Sequence, residues 1–141
     1  PNLNRTATLP FVAIFGSHQK NPGLRGAAVE LGAGWVPEMV RRLDWVTKIY
    51  SRVDESVRFE RPPSQQIREQ LGFTPFPNED VARLIDDSNE DLYLFSSDYP
   101  HVEGGRNPIG KFESYLTDAA PMVKEKFYAD NFLRLWPKAA A

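Results

Sequence analysis

The chain has 141 residues, of which 41% are hydrophobic and 26% charged, the balance expected of one water-soluble globular domain. Its formal net charge of -2 gives no electrostatic reason to expect a nucleic acid or an acidic membrane as partner. No segment approaches the roughly 18 apolar residues that a membrane span needs, and no basic-then-apolar secretory signal is present. Cysteine is absent, which excludes disulfides and thiolate chemistry and favours a cytoplasmic location.

The N-terminal region predicts one short helix and a turn. Residues 8–18 form an apolar stretch with Pro10 near its start, and proline is tolerated in a first helical turn. We expect this helix to end near Gly16 and to leave His18 on the surface. Asn21-Pro-Gly23 has the composition of a turn.

A strand and a long amphipathic helix are predicted next. Leu24–Leu31 consists largely of small and apolar residues, which indicates a strand with Glu30 near its end. The helix is predicted over Pro37–Val53, because apolar residues recur there at helical spacing. Its apolar stripe consists of Val36, Met39, Val40, Leu43, Val46, Ile49, Tyr50 and Val53.

The middle of the chain repeats this alternation in shorter elements. Ser64 is predicted to cap a helix that continues through Arg68, and a weak strand follows over Gln70–Thr74. Asn78 is predicted to cap the next helix. The buried face of that helix would consist of Val81, Leu84 and Ile85.

The segment Leu92–Asp98 is the most informative part of the sequence. Its continuous apolar run is typical of a strand buried on both faces, as in parallel sheets, and Asp98 stands at the carboxyl end. One helix is then predicted from Asn107 and another over Pro121–Trp136. Their predicted buried residues are Ile109, Phe112, Tyr115 and Leu116 in the first, and Met122, Val123, Phe127, Phe132 and Leu135 in the second.

This order of elements predicts an α/β fold with parallel strands and crossover helices. Three strands are available, whereas a closed eight-stranded barrel needs about 250 residues. In such folds the carboxyl ends of the strands carry the chemistry. Asp98 and Glu30 are therefore the candidate catalytic residues, and we expect Asp98 at the carboxyl end of a central parallel strand and Glu30 at the matching end of another.

Four stretches of the chain resemble one protein family. They are NPGLRGAAVELGAGWVPEMVRRLDW, RPPSQQIREQLGFTPF, DLYLFSSDYPHVEGG and YADNFLRLW. In this order they are similar to the C-terminal part of the amidohydrolase-related metal-dependent hydrolases (amidohydrolase family 2), in the branch that includes aminocarboxymuconate-semialdehyde decarboxylase and resorcylate decarboxylases. The resemblance implies a (β/α)8 barrel, of which residues 1–141 would form a single partial domain with strands six to eight.

The resemblance also implies a divalent metal, usually zinc. The family holds it with a His-x-His or Glu-x-His pair on strand one, a His on strand five and an Asp on strand eight, the position that Asp98 matches. The decarboxylases place a further His in a His-Gly-Gly-Gly run at the end of strand six. The corresponding run here is Leu31-Gly-Ala-Gly34, so that Leu31 stands in place of this His and Glu30 precedes it. Glu30 could replace the His as an acid or base.

Each candidate acid or imidazole also has an ordinary structural interpretation. Asp98 is a metal ligand in the implied parent enzyme, or an acid hydrogen-bonded to nearby backbone amides. Glu30 faces the site, or forms a salt bridge with a neighbouring arginine. His101, three residues beyond Asp98, is a second ligand or a substrate contact, or a turn residue bonded to water or backbone.

The basic residues and a glycine-rich turn give weaker indications. Arg68 and Arg106 could bind a substrate carboxylate, since guanidinium suits a carboxylate bidentately. Gly32-Ala-Gly34 before a helix resembles an anion-binding turn, or simply lets the chain turn tightly from strand to helix.

Two functions remain open from the sequence. The first is the C-terminal fragment of a metal-dependent hydrolase or decarboxylase acting on a small carboxylated or cyclic substrate. This chain alone would then be inactive, with one clear ligand and possibly no metal. The second is a structural or self-associating module, because strands cut from a barrel expose their edges and an apolar face. Either way we expect a homo-oligomer, or association with a missing N-terminal half.

Overall fold

The computed structural model of the protein describes residues 20–55 and 58–140, where strands and helices alternate. The elements in chain order are β1 (Gly26–Ala28), α1 (Val36–Tyr50), α2 (Pro63–Gln70), β2 (Leu71–Phe73), α3 (Val81–Asp86), α4 (Pro108–Tyr115), α5 (Pro121–Glu125) and α6 (Asn131–Leu135). A π-helical turn at Lys126–Asp130 joins α5 to α6, and 3₁₀ turns lie at Val102–Gly104 and Pro137–Ala140. The helix predicted over 8–18, with His18, lies outside the described residues. Within the described ranges no helix has the length and apolarity to cross a membrane.

Strand β2 is the middle member of a small parallel sheet. It pairs with β1, with Gly26 opposite Leu71 and Ala28 opposite Phe73. On its other side Phe73 forms a parallel bridge to Tyr93. The predicted third strand joins the sheet only at this bridge, where the N–H of Leu94 donates to the carbonyl of Phe73, while the N–H of Phe95 points to the other side and donates to the carbonyl of Phe127. The α/β prediction with parallel strands is confirmed, and membership of an eight-stranded barrel stays a prediction.

The long helix α1 packs the first part of its apolar stripe into the core. Val36 and Leu43 are buried, as predicted. The C-terminal part of the stripe is exposed, and Val53 is 82% exposed because α1 ends at Tyr50. Val36 and Leu43 belong to one apolar cluster that also draws on the other helices, the sheet and the π-helical turn. Its other buried members are Ala33, Ile67, Phe73, Val81, Leu84, Leu92, Tyr93, Phe112, Leu116 and Phe127.

Two helix caps differ from the prediction. Helix α2 begins at Pro63, so Ser64 lies inside the first turn, where its N–H donates to Oδ1 of Asp44 on α1 at 2.9 Å. Helix α3 is capped by Asp80 rather than Asn78, with Oδ1 accepting the N–H of Arg83 at 3.1 Å. In both helices a carboxylate accepts an N–H group of the first turn, but the carboxylate belongs to a residue other than the predicted cap.

The single helix predicted over Pro121–Trp136 is divided by its π-helical turn. Phe127 and Leu135 are buried as predicted, whereas Phe132 is 46% exposed and Asn131 is buried instead. Phe127, Asn131 and Leu135 are four residues apart, so the π-helical turn and α6 place them on one face of the C-terminal segment. Asn131 Nδ2 donates to the carbonyls of Glu90 (2.8 Å) and Tyr93 (2.9 Å), which ties the C-terminal helix to the sheet. Met122, also predicted to be buried, is exposed.

Candidate metal centre

Glu30, Asp98 and His101 come together at the carboxyl edge of the sheet. One ligand atom from each lies within 4.8 Å of the others. Nδ1 of His101 is 3.4 Å from Oδ1 of Asp98 and 3.6 Å from Oε1 of Glu30. Because the segments preceding Glu30 and Asp98 run parallel to β2, both acids reach the same edge. The expected common edge of Glu30 and Asp98 is therefore confirmed, and His101 joins them; the central strand is β2, however, and not the segment that leads to Asp98.

Both acids have left-handed backbone conformations. The φ angle is 61° at Glu30 and 56° at Asp98. Residues with a Cβ atom adopt this region at a cost of roughly 1–2 kcal/mol, and such residues cluster at functional sites. Nearby hydroxyl groups support the backbone: the N–H of Glu30 donates to Oγ1 of Thr74, and that of Asp98 donates to Oγ of Ser96, both at 3.3 Å. The strain at both positions marks this edge as a candidate site.

A tight loop turns His101 back toward Asp98. The N–H of His101 donates to the carbonyl of Asp98 at 2.8 Å, and the 3₁₀ turn Val102–Gly104 follows. Gly104 packs against the chain at Ser97, where a side chain would not fit. The Asp98 side chain is 8% exposed, whereas those of His101 and Glu30 are 55% and 60% exposed. The site thus has one nearly buried carboxylate and two groups that face open space.

The Gly32-Ala-Gly34 turn binds an internal anion, the carboxylate of Glu79. Oε1 accepts the N–H of Gly34 (2.7 Å), and Oε2 accepts those of Ala33 (2.9 Å) and Phe76 (2.7 Å). Gly32 has a φ of 62°, which suits a residue without a side chain. Both interpretations of this turn hold: Gly32 lets the chain turn tightly after β1, and the N–H groups of Ala33 and Gly34 bind an anion that the protein itself supplies. Glu79 is not among the candidate residues that the sequence indicates.

Neither candidate arginine belongs to the group formed by the two acids and His101. Arg68 is in the last turn of α2, which runs directly into the start of β2 and so lies at the opposite end of that strand from the Asp98 edge. There it lines an open cavity with Ser88 and Asn89. This position does not support the predicted contact of Arg68 with a substrate beside Asp98. Arg106 is exposed, just beyond the loop of His101.

The three side chains fit a divalent metal ion. Carboxylate and imidazole are ligands of zinc and of other first-row metals. Tetrahedral ligand atoms about 2.0–2.1 Å from zinc lie roughly 3.3 Å from one another. The separations of His101 Nδ1 from the two carboxylates, 3.4 and 3.6 Å, are close to this value. In the described ranges the group has three members, the number of protein ligands usual in catalytic zinc sites.

Comparisons with known proteins found similarity to solved structures. No family model and no curated protein matches the chain. Among solved structures, an amidohydrolase from Mycobacterium avium subsp. paratuberculosis superposes with a TM-score of 0.70 at 27% sequence identity. The match covers 85% of this chain and 30% of that one. The likeness supports an amidohydrolase-like α/β fold, and this chain spans less than a third of the protein it matches.

Proposed function

We propose that this chain forms one wall of the active site of a metal-dependent hydrolase of the amidohydrolase type. The observation that carries the proposal is the meeting of Asp98, Glu30 and His101 at the carboxyl edge of a parallel sheet. The likeness to a solved amidohydrolase supports it independently. We infer zinc as the metal, since zinc accepts both carboxylate and imidazole ligands. We also infer that the sheet is the strand six-to-eight part of a barrel related to amidohydrolase family 2.

The three residues would have different roles. Asp98 would hold the ion, because its carboxylate is nearly buried and its direction is fixed by the turn to His101. His101 would complete the ligand set rather than contact substrate, because Nδ1 faces both carboxylates. Glu30 would be the third ligand through one carboxylate oxygen, and because its side chain is 60% exposed its second oxygen could exchange a proton with substrate or solvent, as an acid or base must. A divalent ion bound here would polarise a substrate oxygen and lower the pKa of a bound water.

The proposed substrate is a small carboxylated or cyclic molecule, and hydrolysis is the reaction we propose first. The related decarboxylases carry a His at the end of strand six, and the position assigned to it from the sequence is occupied here by Leu31. Leu31 is 64% exposed and offers no proton. Glu30 lies beside Asp98 and His101 instead, where a carboxylate can accept a proton from an attacking water.

Titration with Co²⁺, followed by its visible absorption, tests the assignment of Asp98. The dialysed protein should bind the ion with an affinity that Asp98→Asn lowers at least about tenfold, since even the loss of a group that only supports a ligand typically costs 10- to 100-fold. Asp118→Asn is the matched control, because it removes an equally charged side chain that is exposed beyond α4. Equal affinity of wild type and Asp98→Asn, or the same loss in both variants, would contradict the proposal.

A second candidate function, association without catalysis, is favoured by the exposed apolar surface. Leu24, Val29 and Leu31 on and beside β1 are 45%, 52% and 64% exposed. Tyr99 and Val102, in the loop of His101, are 87% and 93% exposed. Within the described residues β1 has a strand neighbour on one side. An open strand edge flanked by apolar side chains is a surface for pairing with another chain.

A further inference from the structure

We propose that Glu79 is a positioning residue for the candidate metal centre, and that it holds the loop carrying Glu30 against Asp98 and His101. The role of Glu79 in metal binding rests on the proposed function. The hydrogen bonds of Glu79 do not, since its carboxylate accepts N–H groups from two different loops whether or not a metal binds. Glu79 touches none of the ligand atoms in the described contacts, so that it would act through the backbone.

The carboxylate joins the loop after β1 to the loop after β2. Ala33 and Gly34 belong to the first loop, and Phe76 belongs to the second. Hydrogen bonds from backbone N–H groups to an ionised carboxylate are among the stronger ones in proteins. Glu79 therefore fixes the position of one loop relative to the other, at the edge of the sheet where the candidate ligands lie.

The glycine turn is shaped around this carboxylate. A Cβ atom at Gly32 would lie 3.2 Å from both oxygens of Glu79, and one at Gly34 would lie 3.0 Å from Oε1. Contacts this close show that the backbone approaches the carboxylate as far as a residue without a side chain permits. The turn and Glu79 form one structural unit.

The backbone around Glu30 is held at two points, at the N–H of Glu30 itself and in the glycine turn that follows. The N–H of Glu30 donates to Thr74, in the same loop as Phe76. Two residues after Glu30 the chain enters the turn that Glu79 holds. Glu30 has a left-handed backbone conformation that the surroundings must maintain. Loss of the Glu79 carboxylate would release this segment and let the Glu30 side chain move away from His101.

Asp98 and His101 do not depend on this unit. A hydrogen bond between their own backbones, 2.8 Å long, fixes their relative position. Removal of the Glu79 carboxylate should therefore separate Glu30 from His101 and leave His101 beside Asp98. A merely structural role for Glu79 would weaken all of these contacts together.

The experiment compares Glu79→Gln with Asp80→Asn by NMR and by metal titration. Asp80 is the matched control, because it is the next acid in the chain and caps α3 without touching the glycine turn. In Glu79→Gln we expect the nuclear Overhauser contacts between the Glu30 side chain and the His101 ring to disappear, while those between Asp98 and His101 persist. Asp80→Asn should retain both sets. Co²⁺ affinity should fall 10- to 100-fold in Glu79→Gln, the usual effect of losing an outer support of a metal site.

Gly34→Ala is a second variant for the case in which Glu79→Gln does not fold, because its Cβ would press on the same carboxylate. Glu30–His101 contacts that persist in a folded variant of either kind would overturn the inference. Equal Co²⁺ affinity in Glu79→Gln and Asp80→Asn, when the wild type binds the ion through Asp98, would also overturn it. If Asp98→Asn shows that no ion binds at the site, the proposed function fails, and the NMR contacts still decide the role of Glu79.

Discussion

Gly104 packs against Ser97 so closely that a Cβ atom at Gly104 would lie 2.3 Å from the carbonyl oxygen of Ser97. The same atom would lie 3.2 Å from Cβ of Asp98. The loop that carries His101 can therefore fold back over Asp98 only because residue 104 has no side chain. The position of His101 beside Asp98 thus depends on a buried glycine three residues further along the chain.

Gly104→Ala should disturb the site more than it disturbs the rest of the molecule. Backbone atoms must move to admit the methyl group, and overpacking of this kind costs about 1–3 kcal/mol. We expect a loss of that size in the free energy of unfolding by urea, together with weaker Co²⁺ binding. Gly23→Ala is the control, since its Cβ would meet nothing within 4 Å and its φ angle is an ordinary one. Unchanged Co²⁺ affinity in Gly104→Ala would show that the loop does not determine the site.

We expect no stoichiometric zinc to remain in this chain after dialysis. Two of the three candidate ligands, Glu30 and His101, have more than half of their side chains exposed. Three protein ligands, two of them largely exposed to water, hold zinc less tightly than a complete set of four, so that an added ion would bind and then be lost. Elemental analysis of the dialysed protein is the measurement. About one zinc per chain would contradict the expectation and would indicate a complete set of four ligands.

The chain should associate in solution. Unpaired strand edges attract other strands, and β1 has one strand neighbour among the described residues. Light scattering should give a mass above the 16.0 kDa of a single chain. A lysine at an edge opposes such pairing, so Val29→Lys should lower the mass. Val53→Lys, on the exposed stretch after α1, is the control and should leave it unchanged. A monomeric mass for the wild type would contradict this prediction.

Alkaline pH should destabilise the protein through Tyr93. Burial raises the pKa of its hydroxyl group from 10.0 to about 12. The folded form therefore keeps its proton while the unfolded form loses it, so the free energy of unfolding falls as the pH rises from about 10 toward 12. The full effect is up to about 2–3 kcal/mol.

Urea unfolding of wild type and Tyr93→Phe at several alkaline pH values measures this contribution. The variant should lose less stability between about pH 10 and pH 12. Ser88 also donates to the carbonyl of Leu84 that Tyr93 contacts, so this acceptor keeps a partner in the variant. Part of the slope should remain, because burial also raises the pKa of Tyr128. Identical slopes in the two proteins would exclude a contribution from Tyr93.

The features that sequence predicted well depend on local patterns. The apolar stripe after Gly34 gave the position of α1 to within three residues at its end. Alternation of helices and strands gave the parallel sheet, and with it the common edge of Glu30 and Asp98. The spacing of three residues between Asp98 and His101 left His101 open as a ligand, a substrate contact or an ordinary turn residue, and only the folded loop shows that it lies beside Asp98.

Features that sequence missed depend on contacts between distant parts of the chain. Asp44 caps α2 from 20 residues away, and nothing near Ser64 reveals this. Glu79 lies between two better helix caps, Asn78 and Asp80, so that its partner 46 residues earlier was not apparent. A glycine turn ahead of a helix and an acid at the same sheet edge were the available signals. These signals indicate a contact only once the pairing of β1 with β2 shows that the glycine turn and Glu79 lie at the same edge of the sheet.

The bonds from the C-terminal helix to the sheet have a consequence for the rate of folding. Arg134 reaches the carbonyl of Glu69 across 65 residues, and Asn131 reaches that of Tyr93 across 38. Contacts between residues so far apart close large loops, and proteins rich in such contacts fold more slowly than helical bundles of similar size. The bridge between Phe73 and Tyr93 should thus acquire its full protection from hydrogen exchange only when residues 126–135 have docked, which makes this helix and the sheet one cooperative unit.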